Sequence, residues 1–207
     1  MKIFQLEVGM IGTNCYIAVN EKTKHGVVID PGDEGERIVA AIQKEGLTID
    51  AIFITHGHSD HIMGLNEVRA YTKAKVYISQ EDANCLGAAK ANLSIYMMGK
   101  TAEFAPADVI YKDGDVIEAA GMKFTVLATP GHTKGGVCLK CGNVVFCGDT
   151  VFAESIGRTD LPGGSYDDII QSIKDKILPL PDDVQLLPGH GPATSVGWER
   201  RRNPFLQ

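Results

Sequence analysis

Two packed β-sheets with helices on their outer faces are the α/β (α+β) architecture this sequence predicts. Three observations lead there. Short apolar runs rich in Val, Ile and Phe recur along the chain, bounded by Gly, Pro, Asn and Asp. They fall into two groups, one before the stretch 92–108, which carries Met, Tyr and Phe, and one after it, joined mostly by hairpin turns. Amphipathic helical stretches interrupt both groups, as layered sheets require if their outer faces are to be covered.

The segments KIFQLEV (2–8), NCYIAVN (14–20) and GVVIDPG (26–32) read as strands, the last two joined by the polar turn EKTKH. Glu34–Lys44 places Ile38, Val39 and Ile42 on one helical face, and Gly46 supplies the stop. DAIFITH (50–56) is a continuous apolar run, the pattern of a strand buried on both faces. GLNEVRAYT (64–72) reads as a helix, KVYIS (75–79) as a strand and QEDANCLGAAKA (80–91) as another helix. NLSIYMMGKTAEFAPAD (92–108) has no clean period. Strands resume in DVIEAAGMKFTVLATPGH (115–132), and GVCLKCGNVVFCGD (136–149) makes a hairpin. Tyr166–Leu178 is a helix, VQLLPGH (184–190) a last buried strand and GWERRRNP (197–204) a terminal helix.

Length and composition bound the function. The chain of 207 residues, 44% hydrophobic and 22% charged, can bury the core of one domain spanning 1–207. Its formal charge of −6 argues against nucleic acid or an anionic membrane as partner, since both need a basic surface. MKIFQLEVGMIGTN has no long apolar core and no small-residue cleavage site, so no signal peptide is expected, and no run is long enough to span a bilayer. Five cysteines, an odd number in a chain too long to need staples, read as reduced thiols of a cytoplasmic protein. CLKC (138–141) sits in the hairpin with no second pair, so structural cysteines are preferred there over zinc or redox chemistry.

The ligand-type residues share one setting: the C-terminal end of an apolar strand. IFIT runs into His56, His58, Asp60 and His61; FTVLATPG into His132; VVFCG into Asp149; VQLLPG into His190. Ends of neighbouring strands lie at one edge of a sheet, so these seven can converge, and flanking glycines give the tight turns such a site needs. Five imidazoles and two carboxylates suit zinc, iron or manganese, and seven ligands exceed one tetrahedral ion, so two divalent ions sharing a carboxylate fit the count. His25, alone in the EKTKH turn, reads as an ordinary hydrogen-bonded histidine.

THGHSDH resembles the T-H-x-H-x-D-H signature of the metallo-β-lactamase fold superfamily. The similarity continues in the family's order through VVIDPG, TPGHTKGG, FCGDTVF and LLPGHGPAT. GRTDLPGGSYDDIIQSI and the ending ERRRNPF resemble the short glyoxalase-II-like (hydroxyacylglutathione hydrolase-like) hydrolases. The resemblance implies an αβ/βα four-layer sandwich. It implies a first metal, most readily zinc, held by His56, His58 and His132, and a second held by Asp60, His61 and His190, with Asp149 bridging. Asp30 would orient a ligand histidine from behind.

The implied reaction is attack on a thioester or ester carbonyl by a hydroxide between the metals, with Asp60 orienting it or passing a proton. Tyr96, Met97, Met98 and Phe104 would line the pocket, and Arg158 and Asp160 would either position substrate or fix their loop by a salt bridge. Full-length glyoxalase II enzymes carry a further helical region with basic residues for glutathione, absent after His190 here, so S-lactoylglutathione is a leading candidate rather than the settled substrate. The rival is a persulfide dioxygenase, which the chain also resembles through GRTD and which would hold one iron on His56, His132 and Asp149. Its last motif reads P-A-H-D-Y where this chain has PGHGPAT, which favours hydrolysis.

Overall fold

A computed structural model of the chain describes residues 1–99 and 101–207; Lys100 and the side chains of Met97 and Met98 lie outside the described residues. The first half forms β1 (Lys2–Val8), β2 (Thr13–Val19), β3 (His25–Ile29), α1 (Gly35–Glu45), β4 (Thr48–Phe53), α2 (Leu65–Thr72), β5 (Lys75–Ser79), α3 (Ser94–Met98) and β6 (Val109–Tyr111). Its six strands make one sheet in sequence order. The first pairings, β1–β2 and β2–β3, are antiparallel hairpins, and β3 to β6 run parallel.

The second half forms β7 (Val116–Ala119), β8 (Met122–Ala128), β9 (Val137–Cys141), β10 (Val144–Gly148), β11 (Val151–Phe152), β12 (Ser155–Ile156), α4 (Tyr166–Ser172), β13 (Gln185–Pro188), β14 (Thr194–Ser195) and α5 (Val196–Arg202). The second sheet has the order β14-β13-β10-β9-β8-β7. Strands β8 and β10 are each antiparallel to β9, and β13 is parallel to β10, so β8, β10 and β13 all point the same way.

Period-two alternation sorts the strand residues into three cores. Ile17, Val28, Ile52 and Ile54 face outward onto Ile38 and Ile42 of α1 and Leu65 and Val68 of α2. Tyr16, Val27, Ile29 and Phe53 face the other sheet, where Phe124, Val126, Leu139 and Phe146 meet them. Val145 and Cys147 face outward again, under Ile169, Ile173, Ile177 and Val196. The result is the expected helix–sheet–sheet–helix sandwich. Phe53 touches Phe124 and Tyr77 at ring separations of 5.1 Å, and burying such a ring stabilises by roughly 1.5–3 kcal/mol.

The helix ends follow local chemistry. Ser165 and Ser195 cap α4 and α5 by accepting from the Asp168 and Trp198 amides, and Gly46 ends α1 with φ 63°. Two expectations need correcting. QEDANCLGAAKA forms only a 3-10 stretch, Ala83–Gly87, because the Cys85 and Leu86 carbonyls accept from Asn92 Nδ2 and the Phe104 amide instead of continuing a helix. The helix expected through Leu178 keeps α geometry to Ser172 and then widens into a π turn over Ile173–Ile177.

All five cysteines are free and buried, CLKC lying along β9 and its turn. His25 bonds Asp50 at 2.7 Å on the surface. Among the described residues no helix is long and apolar enough to cross a membrane.

Candidate metal centre

Every site residue leaves its sheet at one edge. Strands β3 and β4 are parallel neighbours, so Asp30, His56 and the residues after it emerge together. Strands β8, β10 and β13 deliver His132, Asp149 and His190 from the opposite sheet. A 3-10 turn over Ser59–His61 folds Asp60 and His61 back beside His56, whose ring centroid lies 4.1 Å from that of His61.

Three groups of ligand atoms result, each with its members within 4.8 Å of one another: His56/His58/His132, His56/His61/Asp149 and Asp60/His61/His190. Asp149 lies between them, its Oδ1 3.3 Å from His61 Nε2 and its Oδ2 3.6 Å and 3.5 Å from the Nε2 atoms of His132 and His190. All seven expected residues therefore converge.

The donor atoms fit divalent ions. His56 Nε2, His61 Nε2 and Asp149 Oδ1 are buried without a hydrogen-bond partner. Three such orphans facing one another are costly unless a cation satisfies them. The far sides of three imidazoles are engaged: His61 Nδ1 donates to Asp30 Oδ2 at 3.0 Å and His132 Nδ1 to the Arg158 carbonyl at 2.8 Å. His56 Nδ1 faces Thr55 Oγ at 3.2 Å, and that hydroxyl donates to Asp30 Oδ2. These bonds turn the Nε2 lone pairs inward, as ion-binding histidines require. Asp30 adopts φ 51°, a left-handed conformation Asp tolerates, and also accepts from the Thr55 amide at 2.7 Å.

Electrostatics divide the site. Burial, helped by the charges of neighbouring histidines, holds His56 well below its ordinary pKa, and burial with His132 takes His58 to about 4. Burial disfavours the His61 cation too, but Asp60, Asp149 and Asp30 outweigh it and raise its pKa. His190 is likewise raised, its bond to Asp60 and the Asp149 charge overcoming desolvation. Asp60 and Asp149 are lowered despite burial, through His61 first.

A cavity of about 360 Å³ opens over the cluster. Ile11, Phe152, Ile156 and Leu161 form its apolar wall, and Arg158 contributes to the rim. Arg158 Nε and Nη2 donate to the two Asp160 oxygens at 2.8 Å and 2.7 Å, the loop-fixing salt bridge weighed from sequence. Tyr96 is exposed outside this wall, Phe104 is buried in the core under the first sheet, and the expected contacts of Met97 and Met98 lie outside the described residues.

Sequence reasoning missed several supports. Thr13 Oγ donates to Asp60 Oδ2 at 3.2 Å, and Asn14 Nδ2 donates to the Pro188 and Gly191 carbonyls on either side of His190. Asp82 accepts three hydrogen bonds from the loops that carry His58 and His132. Gly189 was legible only as a turn glycine. A Cβ there would stand 2.2 Å from Asp149 Oδ1 and 2.7 Å from His61 Cε1, so the site closes only around a bare backbone.

The fold, the edge-on cluster and the motif order define a metal-dependent hydrolase class, and comparison with known proteins agrees. The chain matches the Metallo-beta-lactamase superfamily over residues 8–190 and belongs to it. It is 38% identical to "Probable metallo-hydrolase YqgX" of Bacillus subtilis, over 100% of this chain and 98% of that protein. To "Hydroxyacylglutathione hydrolase GloC" of Haemophilus influenzae it is 33% identical, with the same coverage of 100% and 98%.

Among solved structures it is similar to the BLEG-1 B3 metallo-beta-lactamase at TM-score 0.96 and 37% identity, covering 100% of both chains. TTHA1623 in a di-iron-bound form gives 0.86 and 35% over 98% of this chain and 100% of that one. ETHE1 from Myxococcus xanthus gives 0.82 and 31% over 99% and 84%.

Proposed function

We propose that the chain is a one-domain hydrolase, spanning 1–207, that cleaves a thioester or related ester with two divalent ions, zinc foremost and iron or manganese as substitutes. The observation that carries this reading is the meeting of two buried ligand clusters at Asp149, with orphaned donor atoms, beneath a cavity. His56, His58 and His132 would hold one ion, Asp60, His61 and His190 the other, and Asp149 would stand between them. Bound there, such ions lower the pKa of water to about 7 and polarise a carbonyl oxygen.

The chain's own residues do the rest. Asp60 Oδ2, steadied by Thr13, is placed to accept a water proton and orient the nucleophile. The apolar wall excludes water from one side of the substrate and receives its apolar part. Besides the ion-binding groups, Arg158 is the one titratable side chain among the described residues lining the cavity. A guanidinium does not give up its proton, and Asp160 already engages it. Apart from the proton that Asp60 has accepted, the cavity lining offers the leaving group no acid, which favours a group able to depart as an anion. A thiolate, with a parent pKa near about 8.5, does so far more readily than an alkoxide.

That argument and the likeness to GloC favour a thioester of the S-lactoylglutathione type, with Arg158 as a contact at the rim. Five unpaired cysteines suit the reducing cytoplasm.

Ion analysis together with a panel of thioesters, esters, lactones and a β-lactam tests the reading. Close to two ions per chain with thioesters turned over fastest is expected, and His58→Ala should lose that activity. Faster turnover of the β-lactam would move the assignment to the activity that BLEG-1's name carries. The likeness to ETHE1 favours a second reading, a one-iron oxygenase. One iron per chain with oxygen uptake and no hydrolysis would replace the hydrolase.

A further inference from the structure

The three histidines of the first cluster come from two different sheets, His56 and His58 from the loop after β4 and His132 from the loop after β8. Something must hold those loops in register, and the hydrogen bonds show what. Asp82, in the turn after β5, is 4% exposed. Its Oδ2 accepts from the Gly57 amide at 2.9 Å and from Thr133 Oγ at 2.8 Å, and its Oδ1 accepts from the Gly135 amide at 3.0 Å. Gly57 separates His56 from His58, and Thr133 follows His132 directly.

The clamp is close-fitting. A Cβ on Gly57 would come within 2.4 Å of Cys85 Cβ, and one on Gly135 within 2.6 Å of the Asp82 carboxyl. Both loops are thus drawn tight against the 82–85 turn by a buried carboxylate that no cation in the described residues neutralises by direct contact. Three hydrogen bonds from neutral donors carry its charge instead.

We propose that Asp82 is a positioning residue for the His56/His58/His132 ion site, setting that site's affinity by tying together the two loops that form it. The inference rests on the two-ion reading above. The hydrogen-bond partners of Asp82 are Gly57, Thr133 and Gly135, and none of them is Asp60, His61 or His190, so its influence falls on one site and not the other. Asp30 acts differently, through Thr55 and His61, and reaches both clusters.

The test is a zinc titration against a competing chelator, read as two separate affinities. Wild type should bind two zinc ions. Asp82→Ala should weaken one by roughly 10–100-fold, the usual cost of losing a group that orients ligands. In a His190→Ala background, which leaves the first cluster intact, Asp82→Ala should show that full loss. In a His58→Ala background the remaining ion should bind as before. Thr133→Val, which removes one bond to Asp82 and keeps the side chain's shape, should weaken the same ion by a smaller factor, and it serves should Asp82→Ala fail to fold. Cobalt spectra of Thr133→Val should change only for the first equivalent added to the His190→Ala protein. Unchanged affinities in Thr133→Val and Asp82→Ala, or equal weakening of both ions, would overturn the assignment of Asp82. A wild type that binds no second ion would instead overturn the two-ion reading itself.

Discussion

The two ligand clusters flank Asp149 and share one loop, yet they are chemically opposite. The His56/His58/His132 cluster contains no carboxylate, and burial keeps His56 and His58 neutral. The Asp60/His61/His190 cluster pairs imidazoles with carboxylates, and its histidines hold protons more tightly than free imidazole. One half of the site is imidazole alone, with His58 Nδ1 bonded to His132 Nε2 at 2.8 Å, and the other half holds ion pairs that a metal must break. The same fold edge therefore offers two cation sites with different proton costs.

The largest expected effect removes what lies between them. Asp149→Ala takes away the carboxylate lying within 3.6 Å of His61, His132 and His190. Hydrolysis should fall by at least about three powers of ten, since ion-assisted catalysis is worth several kcal/mol and about 1.4 kcal/mol is one decade. Ion analysis should show fewer than two equivalents. Retention of both ions and of full activity would remove Asp149 from the centre.

Asp30→Asn comes next. The amide nitrogen would face either Thr55 Oγ or His61 Nδ1, both of which donate to Asp30 Oδ2 now. Because Thr55 also meets His56, both zinc affinities should weaken, together by roughly 10–100-fold. Loss confined to one ion would show that the Thr55 relay to His56 carries no weight.

The proton difference gives a third, smaller effect. His61 and His190 have raised pKa values in the ion-free protein, so loading the second cluster displaces protons already near neutral pH. Its ion affinity should fall as pH drops through their ordinary value of 6.5 and below, by about tenfold per pH unit for each proton displaced. His56 is lowered and His58 is lowered to about 4, so these two add no proton cost over that range, and the first cluster's affinity should fall less steeply than the second's. Titrations at pH 7.5 and 5.5 separate the two. Parallel pH dependence of both affinities would erase the distinction drawn here.

How far this centre could be read from sequence depended on whether a residue belonged to a pattern. His56, His58, Asp60 and His61 crowd one strand end, and His132, Asp149 and His190 each follow an apolar run and a glycine, so their convergence was legible. So were the strands whose alternation sorts side chains between cores. Asp82, Thr13 and Asn14 were not legible, because each acts through one or two bonds across the fold and leaves no periodic or clustered mark. The 80–91 stretch misled for a related reason. Its composition favours a helix, but Asn92 and Phe104 take the carbonyls that a helix would need.

Arg158 marks the lower end of the scale, and it divides a residue into two parts. Its carbonyl holds His132 Nδ1 at 2.8 Å, while its guanidinium lies at the cavity rim, bound to Asp160 and largely in solvent. Replacing the side chain leaves the carbonyl in place, so Arg158→Ala should keep both zinc affinities and change thermal stability little, as exposed ion pairs do. Any loss should appear as a raised KM for thioesters bearing a distal carboxylate, with kcat intact and with neutral thioesters unaffected. If kcat or zinc binding falls instead, the Asp160 pair is what holds the carbonyl against His132, and the rim is part of the first cluster rather than of substrate binding.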